Sequence, residues 1–491
     1  MLALLVCATM LCGCARRAKP PSPEPEPAAV APEPGPEPKY DYPQVTSTLH
    51  VVDAAPARTD HVDATGHLFV MDGPGDMYIA KLPGDLRKIG NAAVIVRGEV
   101  SKGVQGEAWV SPDGKRWLIF ADIASDVDWF LYDGSRLRWL QDYLNETCGG
   151  EGVGLEWADA RSLAIFLPWA EGSEPGSGSG CTNRLRTVSV PSLRLVREVK
   201  FDMGGLCAHC WPSPSYDLLL CGVRKRPGED EGRFELWSRD GNSLGGFEGG
   251  IGMGDDAVTW QDDGRTFLFR NAPDTYQVYD ARARLVEERR FPVAGDVKRS
   301  WLSPDGQHLI VRDGKGMAWL SGAGEAVPML PEEVTCDRVE WSLDSVRACL
   351  RGSSTDAEQR CYVYDVAANR LTLIGPDMKC TIPHADPNAS RPSPSLWTPD
   401  GTRLAVIGTG EGGVPHLIVV DSARRQATDL TPNLAGKRAD FHGWTSDGEC
   451  LFYEYVRGPN SRDLRVISAD GSAERVLLAS KAQTLAARYE P

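Results

Sequence analysis

The chain has 491 residues, of which 42% are hydrophobic and 25% charged, a globular composition whose length allows one very large domain or two to three ordinary ones. Its formal net charge of −15 argues against nucleic acid as a partner, because phosphate binding requires clustered Lys and Arg. The same charge argues against broad docking on anionic lipid.

The chain opens with a short apolar run that ends in cysteines. Leu2–Leu11 is too short to span a bilayer as a helix and fits the hydrophobic region of a signal peptide. The sequence Leu11-Cys12-Gly13-Cys14 resembles the lipobox of bacterial lipoproteins, although no basic residue precedes the apolar run. This resemblance implies a signal peptide at 1–13, lipid attachment at Cys14 and, since Ala15 rather than Asp follows, sorting to the outer membrane. The alternative is a plain secretory signal in which Cys14 has no role.

Residues 14–44 are dominated by Pro and Glu after the cysteine. Such a segment cannot build an apolar core, so we expect it to be disordered. Proline-rich chains favour the extended polyproline II conformation at about 3.1 Å per residue, which gives a spacer of roughly 80 Å. The sequence therefore predicts an acidic stalk between a lipid anchor and a folded body.

A module of 40 to 56 residues recurs along the rest of the chain, and a Trp marks the start of each copy. The repeated residues are Trp109, Trp157, Trp211, Trp260, Trp301, Trp341, Trp397 and Trp444. The most complete form, Trp301-Leu-Ser-Pro-Asp-Gly306, predicts a tight hairpin turn, because Pro presets φ and Gly adopts a left-handed conformation at its end. An apolar strand follows each turn, and two further short strands complete the module.

Four-stranded antiparallel units at this period are typical of β-propeller blades, so we predict an all-β fold with a single β-propeller. The Trp-x-Ser-Pro-Asp-Gly pattern resembles the WD40-like propellers of the TolB type over residues 66–480. The resemblance implies the fold and leaves the activity open. We interpret the repeated Trp residues as packing between neighbouring blades rather than as a ligand site, because every blade repeats the same position.

We favour eight four-stranded blades within a propeller at 45–485, with a short tail at 486–491; seven or nine blades are also possible. Four segments before the first Trp have the pattern of strands, at 48–54, 67–72, 76–83 and 92–96. They form either a further module without Trp or strands that overlay the point where the ring closes.

The 13 cysteines become ten when Cys7 and Cys12 leave with the signal and Cys14 takes lipid. An even number in an exported chain suggests disulfides. The candidate pairs are Cys148 with Cys181, which flank one strand and its long loop, and Cys349 with Cys361, on consecutive strands. Cys207-Ala-His-Cys210 has the spacing of a zinc or redox motif, but no second such pair and no βαβ context accompanies it, which favours a structural disulfide or buried thiols.

No catalytic motif is evident, and we predict neither a cofactor nor a metal. The leading hypothesis is a non-enzymatic, monomeric envelope lipoprotein whose propeller holds a protein, peptide or envelope glycan. The runner-up is an enzyme, a lyase or glycoside hydrolase, whose active site lies in the propeller channel. A third possibility is a subunit that serves only envelope assembly or secretion.

We predict that Cys14 carries the lipid. In cells labelled with a fatty-acid probe, the wild-type chain should incorporate the label and fractionate with membranes, and the Cys14→Ser variant should do neither. Cys12→Ser is the matched control and should retain the label. A Cys14→Ser protein that still takes up the probe would contradict the assignment.

Overall fold

The computed structural model describes residues 42–490 with internal gaps at 55–58, 74, 97–104, 124–125, 141–142, 145–153, 168–182, 204–205, 216, 225–230, 251–256, 262, 294–295, 323–325, 355–358, 383–394, 411–412, 433–437 and 483–484. The signal peptide at 1–13, Cys14, most of the predicted stalk at 14–44, Cys148 and Cys181 therefore lie outside the described residues.

The described residues form nine antiparallel sheets of four strands each, two of which gain a fifth, parallel strand. The described chain begins with β1 (Val45–Leu49), β2 (Val51–Asp53), β3 (Gly66–Asp72), β4 (Asp76–Leu82), β5 (Arg87–Asn91) and the short helix α1 (Ala92–Val96). Blade two is β6 (Gln105–Val110), β7 (Trp117–Ile123), β8 (Asp126–Tyr132) and β9 (Leu137–Trp139). Blade three is β10 (Gly154–Asp159), β11 (Ser162–Leu167), β12 (Asn183–Ser189) and β13 (Arg194–Phe201).

The pattern continues without interruption through the middle of the chain. Blade four is β14 (Leu206–Pro212), β15 (Leu218–Arg224), β16 (Glu231–Ser238) and β17 (Ser243–Gly250). Blade five is β18 (Val258–Trp260), β19 (Phe267–Ala272), β20 (Thr275–Tyr279) and β21 (Leu285–Arg290). Blade six is β22 (Val297–Leu302), β23 (Leu309–Asp313), β24 (Ala318–Ser321) and β25 (Val327–Pro328).

The last three blades and a final strand complete the chain. Blade seven is β26 (Thr335–Trp341), β27 (Arg347–Ser353), β28 (Gln359–Asp365) and β29 (Arg370–Ile374). Blade eight is β30 (Lys379–Thr381), β31 (Arg403–Thr409), β32 (Pro415–Asp421) and β33 (Gln426–Asp429). Blade nine is β34 (Arg438–Trp444), β35 (Cys450–Gly458), β36 (Ser461–Ser468) and β37 (Glu474–Ser480), and β38 (Leu485–Glu490) follows it.

The predicted all-β propeller is confirmed. It has nine blades, which is one of the possible counts, rather than the eight that the sequence favoured. Blade one is assembled from both ends of the chain, because β38 pairs antiparallel with β3 over six residue pairs in the order β38-β3-β4-β5. Residues 486–491, predicted as a tail, therefore belong to the propeller as far as Glu490. Blade one lacks the repeated Trp because its first strand, β38, comes from the C-terminus. In this strand Tyr489 faces blade nine, and its ring stacks on that of Phe452.

One of the early segments differs from the prediction, and another takes only one of its two alternatives. Residues 92–96 form α1 rather than a strand, because Asn91 caps the turn with its side-chain oxygen, which accepts the N–H of Val94 at 3.0 Å. The segment at 48–54 does not join blade one. Instead β1 pairs in parallel with β29 on blade seven, and β2 pairs in parallel with β33 on blade eight.

The apolar residues form nine clusters, one at each interface between adjacent blades. Alternate residues of a second strand face opposite neighbours: Leu404 and Val406 pack with blade seven, whereas Ala405 and Ile407 pack with blade nine. This double burial explains why the second strands are continuous apolar runs in the sequence. The core is thus a ring of interfaces rather than one central mass.

The eight repeated Trp residues fall into two positions rather than the single one that the spacing suggests. One residue separates Trp301 from the turn residue Ser303, whereas Trp341 directly precedes the turn residue Ser342. A shift of one residue turns a side chain to the other face of the strand. Among the contacts between described residues, these indole N–H groups donate to a main-chain carbonyl of the preceding blade: Trp157 to Trp109 (2.9 Å), Trp260 to Trp211 (3.2 Å), Trp341 to Trp301 (3.0 Å), Trp397 to Glu340 (3.2 Å) and Trp444 to Leu396 (2.8 Å).

The Ser-Pro-Asp-Gly turn has the predicted form. The Ser303 hydroxyl donates to Asp305 Oδ1 at 2.6 Å and accepts the N–H of His308 at 2.9 Å. Gly306 closes the turn with φ of 68°, a conformation that favours glycine. The turn thereby satisfies its own polar groups, so the same few residues can start the second strand of many blades.

Candidate functional site

The structure contains a cleft of about 430 Å³ between blades eight and nine. One wall is the N-terminal strap, which we define as the described residues of 51–63. Blade eight supplies Arg403, Val419, Asp421, Arg424, Gln426 and Thr428, and blade nine supplies Glu449, Cys450, Ser468, Ala469, Asp470, Ser472 and Ala473. The strap contributes Asp53, Ala54, His61, Val62 and Asp63.

The strap is held by main-chain hydrogen bonds to both blades. On blade eight, the N–H of Ala54 donates to the carbonyl of Asp429 at 2.9 Å, at the end of the β2–β33 pairing. On blade nine, Thr59 donates its N–H to Ser472 at 3.1 Å and accepts the N–H of Glu474 at 2.9 Å. Main-chain pairing at both ends fixes the strap across the interface, so it forms a built wall of the cleft.

Arg403 joins the two blades at the cleft. It ends the Thr-Pro-Asp-Gly turn of blade eight, and its Nη1 donates to the carbonyl of Gly448, in the equivalent turn of blade nine, at 2.9 Å. The same guanidinium lies 3.2 Å from Glu449 Oε1 and 3.6 Å from Asp421 Oδ2. An arginine with carboxylates on two sides positions these acidic groups at the cleft.

Carboxylates outnumber cationic side chains in the cleft. The five acidic residues are Asp53, Asp63, Asp421, Glu449 and Asp470, against two arginines and His61. Burial alone would raise the pKa of Asp470, but hydrogen bonds from Ser472 and Ser468 outweigh it and bring the pKa below its usual range. The cleft therefore offers ionised oxygens together with hydroxyl and amide groups, which suits a ligand rich in N–H or O–H donors.

A second polar group lies beside the cleft within blade eight. His416 Nδ1 is 2.6 Å from Asp429 Oδ2, and the other oxygen of Asp429 accepts the N–H of Thr431 at 2.7 Å. Burial raises the pKa of Asp429, and the nearby carboxylate of Asp53 acts in the same direction. This pair fixes the end of β33 where the strap leaves it.

A third ionisable cluster lies on the inner part of blade nine. The carboxylate of Glu454 is buried, pairs with the Arg462 guanidinium, and lies 3.4 Å from His442 Nε2. Burial would raise the pKa of Glu454, but His442 and Arg462 outweigh it and hold the pKa below its usual range. Since all three residues come from one blade and Glu454 is already ion-paired with Arg462, the cluster reads as a structural network.

The residues singled out in the sequence do not meet in one site. The eight repeated Trp residues are distributed round the ring at the blade interfaces. Cys349 and Cys361 are not bonded to each other, because Cys349 lies opposite Val363 and Cys361 opposite Arg351, which makes the two cysteines diagonal neighbours rather than a facing pair. Sequence reasoning missed the cleft, since its walls come from three distant segments; the one local signal was the strand pattern at 48–54.

No group of three or more His, Cys, Asp or Glu side chains in the described ranges is arranged to hold a metal ion. Within the same ranges, no helix combines the length and the apolar character needed to cross a membrane.

No family model matches the chain, and no curated protein matches it in sequence. Solved structures with a similar fold include a eukaryotic initiation factor, at 11% identity over 87% of this chain and 99% of that one (TM-score 0.49). Others are the C-terminal WD40 domain of Sif2, at 10% identity over 87% and 98% (0.37), and a putative TolB from Agrobacterium tumefaciens, at 16% identity over 48% and 90% (0.25). Likenesses at this level carry no functional argument, and the assignment of the fold rests on the strand pairing of the chain itself.

We predict that Gly471→Ala loosens the strap. Gly471 has φ of +75°, and an added Cβ would lie 2.6 Å from the Cβ of Ala54. We expect a loss of about 1–3 kcal/mol in the free energy of unfolding, measured in urea, and faster amide exchange at β2. Gly413→Ala is the matched control, because Gly413 has a similar φ of +68° and its added Cβ would meet nothing within 4 Å. Equal stability and equal β2 protection in the two variants would show that the strap does not depend on this contact.

Proposed function

We propose that this protein is a non-enzymatic lipoprotein of the bacterial envelope, whose propeller binds or scaffolds a protein, a peptide or an envelope glycan through the cleft between blades eight and nine. The observation that carries the proposal is the cleft itself. It is polar, its walls are fixed by main-chain pairing, and its volume of about 430 Å³ falls within the range of small-ligand pockets. Such a volume accommodates a few residues of a peptide or one to two sugar units.

The chemistry of the cleft favours recognition over catalysis. Asp421 and Glu449 are ion-paired with Arg403, and Asp470, whose pKa is lowered, accepts hydrogen bonds from turn hydroxyls. Acceptors of this kind recognise lysine or arginine side chains, backbone amides and sugar hydroxyls. Because the cleft lies on the outer part of two blades, a bound segment could extend along the propeller rim.

The cellular setting in this proposal comes from the N-terminal sequence. Lipid at Cys14 would anchor the chain to the outer membrane, and the Pro/Glu-rich stalk would hold the propeller away from that surface. The membrane would then be contacted through the anchor alone. The net charge of −15 supports this arrangement, since it disfavours direct contact of the propeller with anionic lipid.

The enzymatic alternative has one observation in its favour, the group of His442, Glu454 and Arg462 within blade nine, in which Glu454 is buried. Glycoside hydrolysis requires two carboxyl groups placed on opposite sides of one bond, one of them able to donate a proton. The contacts of Glu454 with His442 and Arg462 instead lower its pKa, which opposes a role as a general acid. We therefore favour binding over a lyase or hydrolase activity.

The proposal is tested by placing a photo-crosslinking amino acid at Gln426, which is exposed in the cleft, in the chain expressed in its own cells. The matched control is Val286, which is also exposed and lies on the outer strand of blade five. We expect a discrete adduct from position 426 that position 286 does not give, and we expect Asp63→Asn to weaken it. No adduct at 426, or the same adducts from both positions, would contradict the cleft as the binding site.

A further inference from the structure

Three cysteine thiols meet on one face of blade four. Cys221 on β15 is fully buried, and its thiol makes hydrogen bonds with those of Cys207 and Cys210 on β14. The Sγ atoms of Cys210 and Cys221 are 3.9 Å apart. Cys207 and Cys210 are partly exposed to solvent. The cluster thus consists of one buried thiol behind two that solvent reaches.

A β-bulge brings the first two thiols to the same face. Residues three apart on a regular strand point to opposite faces. In β14, however, Cys207 pairs with Val223 and His209 pairs with Gly222, so Ala208 is the extra, bulged residue. Cys207 and Cys210 therefore both point to the face that carries Cys221. On a strand with this bulge, the Cys-x-x-Cys spacing brings both thiols to one face, although the sequence offers no βαβ unit around it.

The register places Cys210 directly opposite Cys221. The N–H of Ser213 donates to the carbonyl of Leu218 at 2.9 Å, which marks these two residues as a hydrogen-bonded pair. Pair types alternate along an antiparallel ladder, so the pair of Cys210 and Cys221, three steps further, is not hydrogen-bonded. In such a pair the Cα atoms are about 4.5 Å apart, which lies within the range that a disulfide requires.

We propose that Cys207, Cys210 and Cys221 form a redox-active thiol cluster, in which Cys210 and Cys221 close a cross-strand disulfide upon reaction with a small-molecule or protein disulfide. The site is independent of the cleft between blades eight and nine. It acts as a modification site of blade four.

The reaction balances as two thiol–disulfide exchanges. The thiolate of Cys210 attacks one sulfur of the external disulfide, which forms a mixed disulfide and releases one external thiol. Cys221 then loses its proton and attacks the Cys210 sulfur, which closes the internal disulfide and releases the second external thiol. Two protein thiols are oxidised and one external disulfide is reduced. Cys207 is also placed to attack the Cys221 sulfur of this disulfide. That exchange would release the Cys210 thiol and leave a disulfide between Cys207 and Cys221.

A second group of three thiols provides an internal comparison. Cys349, Cys361 and Cys380 are all fully buried at the interface between blades seven and eight. Hydrogen bonds link the thiol of Cys361 to those of Cys349 and Cys380. Because none of them is exposed to an external disulfide, and Cys349 and Cys361 are diagonal rather than facing, we expect this group to remain reduced while the chain is folded.

The test uses the purified full-length protein treated with oxidised glutathione, quenched with acid and alkylated. Trypsin leaves all three blade-four cysteines in the single peptide 201–224, so chymotrypsin, which cuts after Tyr216, is added to separate Cys210 from Cys221. We expect a linked peptide joining Cys210 and Cys221, at about tenfold the level of any bridge within the buried group. A reductant should abolish it.

Two variants sharpen the result. Cys207→Ser should leave the bridge intact, and Cys210→Ser, at a partly exposed position that tolerates a polar residue, should divert it to Cys207 and Cys221. A bridge between Cys207 and Cys210 in the wild-type protein would contradict the facing arrangement. Separate alkylation of Cys210 and Cys221 without any linked peptide, or equal oxidation of the Cys349 group, would overturn the proposal.

Discussion

Every blade of this protein is apolar on both faces, and the whole structure depends on that constraint. The second strands place successive residues alternately against the preceding and the following blade, as Leu404 and Ala405 do in blade eight. A blade buried on both sides cannot be the end of a row, because its outer face would remain exposed to water. The row must therefore close on itself, and nine clusters for nine interfaces show that it does. Closure is achieved by β38, which gives the C-terminus of the chain to the blade that contains the N-terminal strands β3–β5.

The closing point is also where the protein is least repetitive, and the candidate site lies next to it. The chain first crosses the outer edges of blades seven and eight as β1 and β2, bridges blade nine at Thr59, and only then enters blade one. The same path that protects the sheet edges from pairing with other chains adds a third wall to one blade interface. The cleft thus exists because the N-terminal strap crosses the outer edges of blades eight and nine. The repeated module alone does not predict such a cleft.

The repeat allowed the fold to be predicted, because the Trp, the Ser-Pro-Asp-Gly turn and the apolar strand are local in sequence. What could not be predicted depends on distant segments. Blade one appeared to lack its Trp because its first strand, with Tyr489 facing blade nine, lies more than 400 residues away. The segment at 48–54 could be expected either as a strand of blade one or as an overlay where the ring closes, because nothing in its sequence specifies β29 or β33 as its neighbour. The bulge at Ala208 is equally invisible in the sequence, and without it Cys207 and Cys210 would be placed on opposite faces.

The central claim is that β38 is a fully integrated strand of the propeller and the element that closes it. Hydrogen exchange followed by mass spectrometry on the full-length protein measures this directly, by comparing the amides of β38 with those of β6, the equivalent first strand of blade two. If β38 closes the ring, its amides should exchange as slowly as those of β6, because opening either strand would expose the apolar clusters on both sides. Rapid exchange of β38 while β6 remains protected would show that the ring holds together without it and would contradict the account.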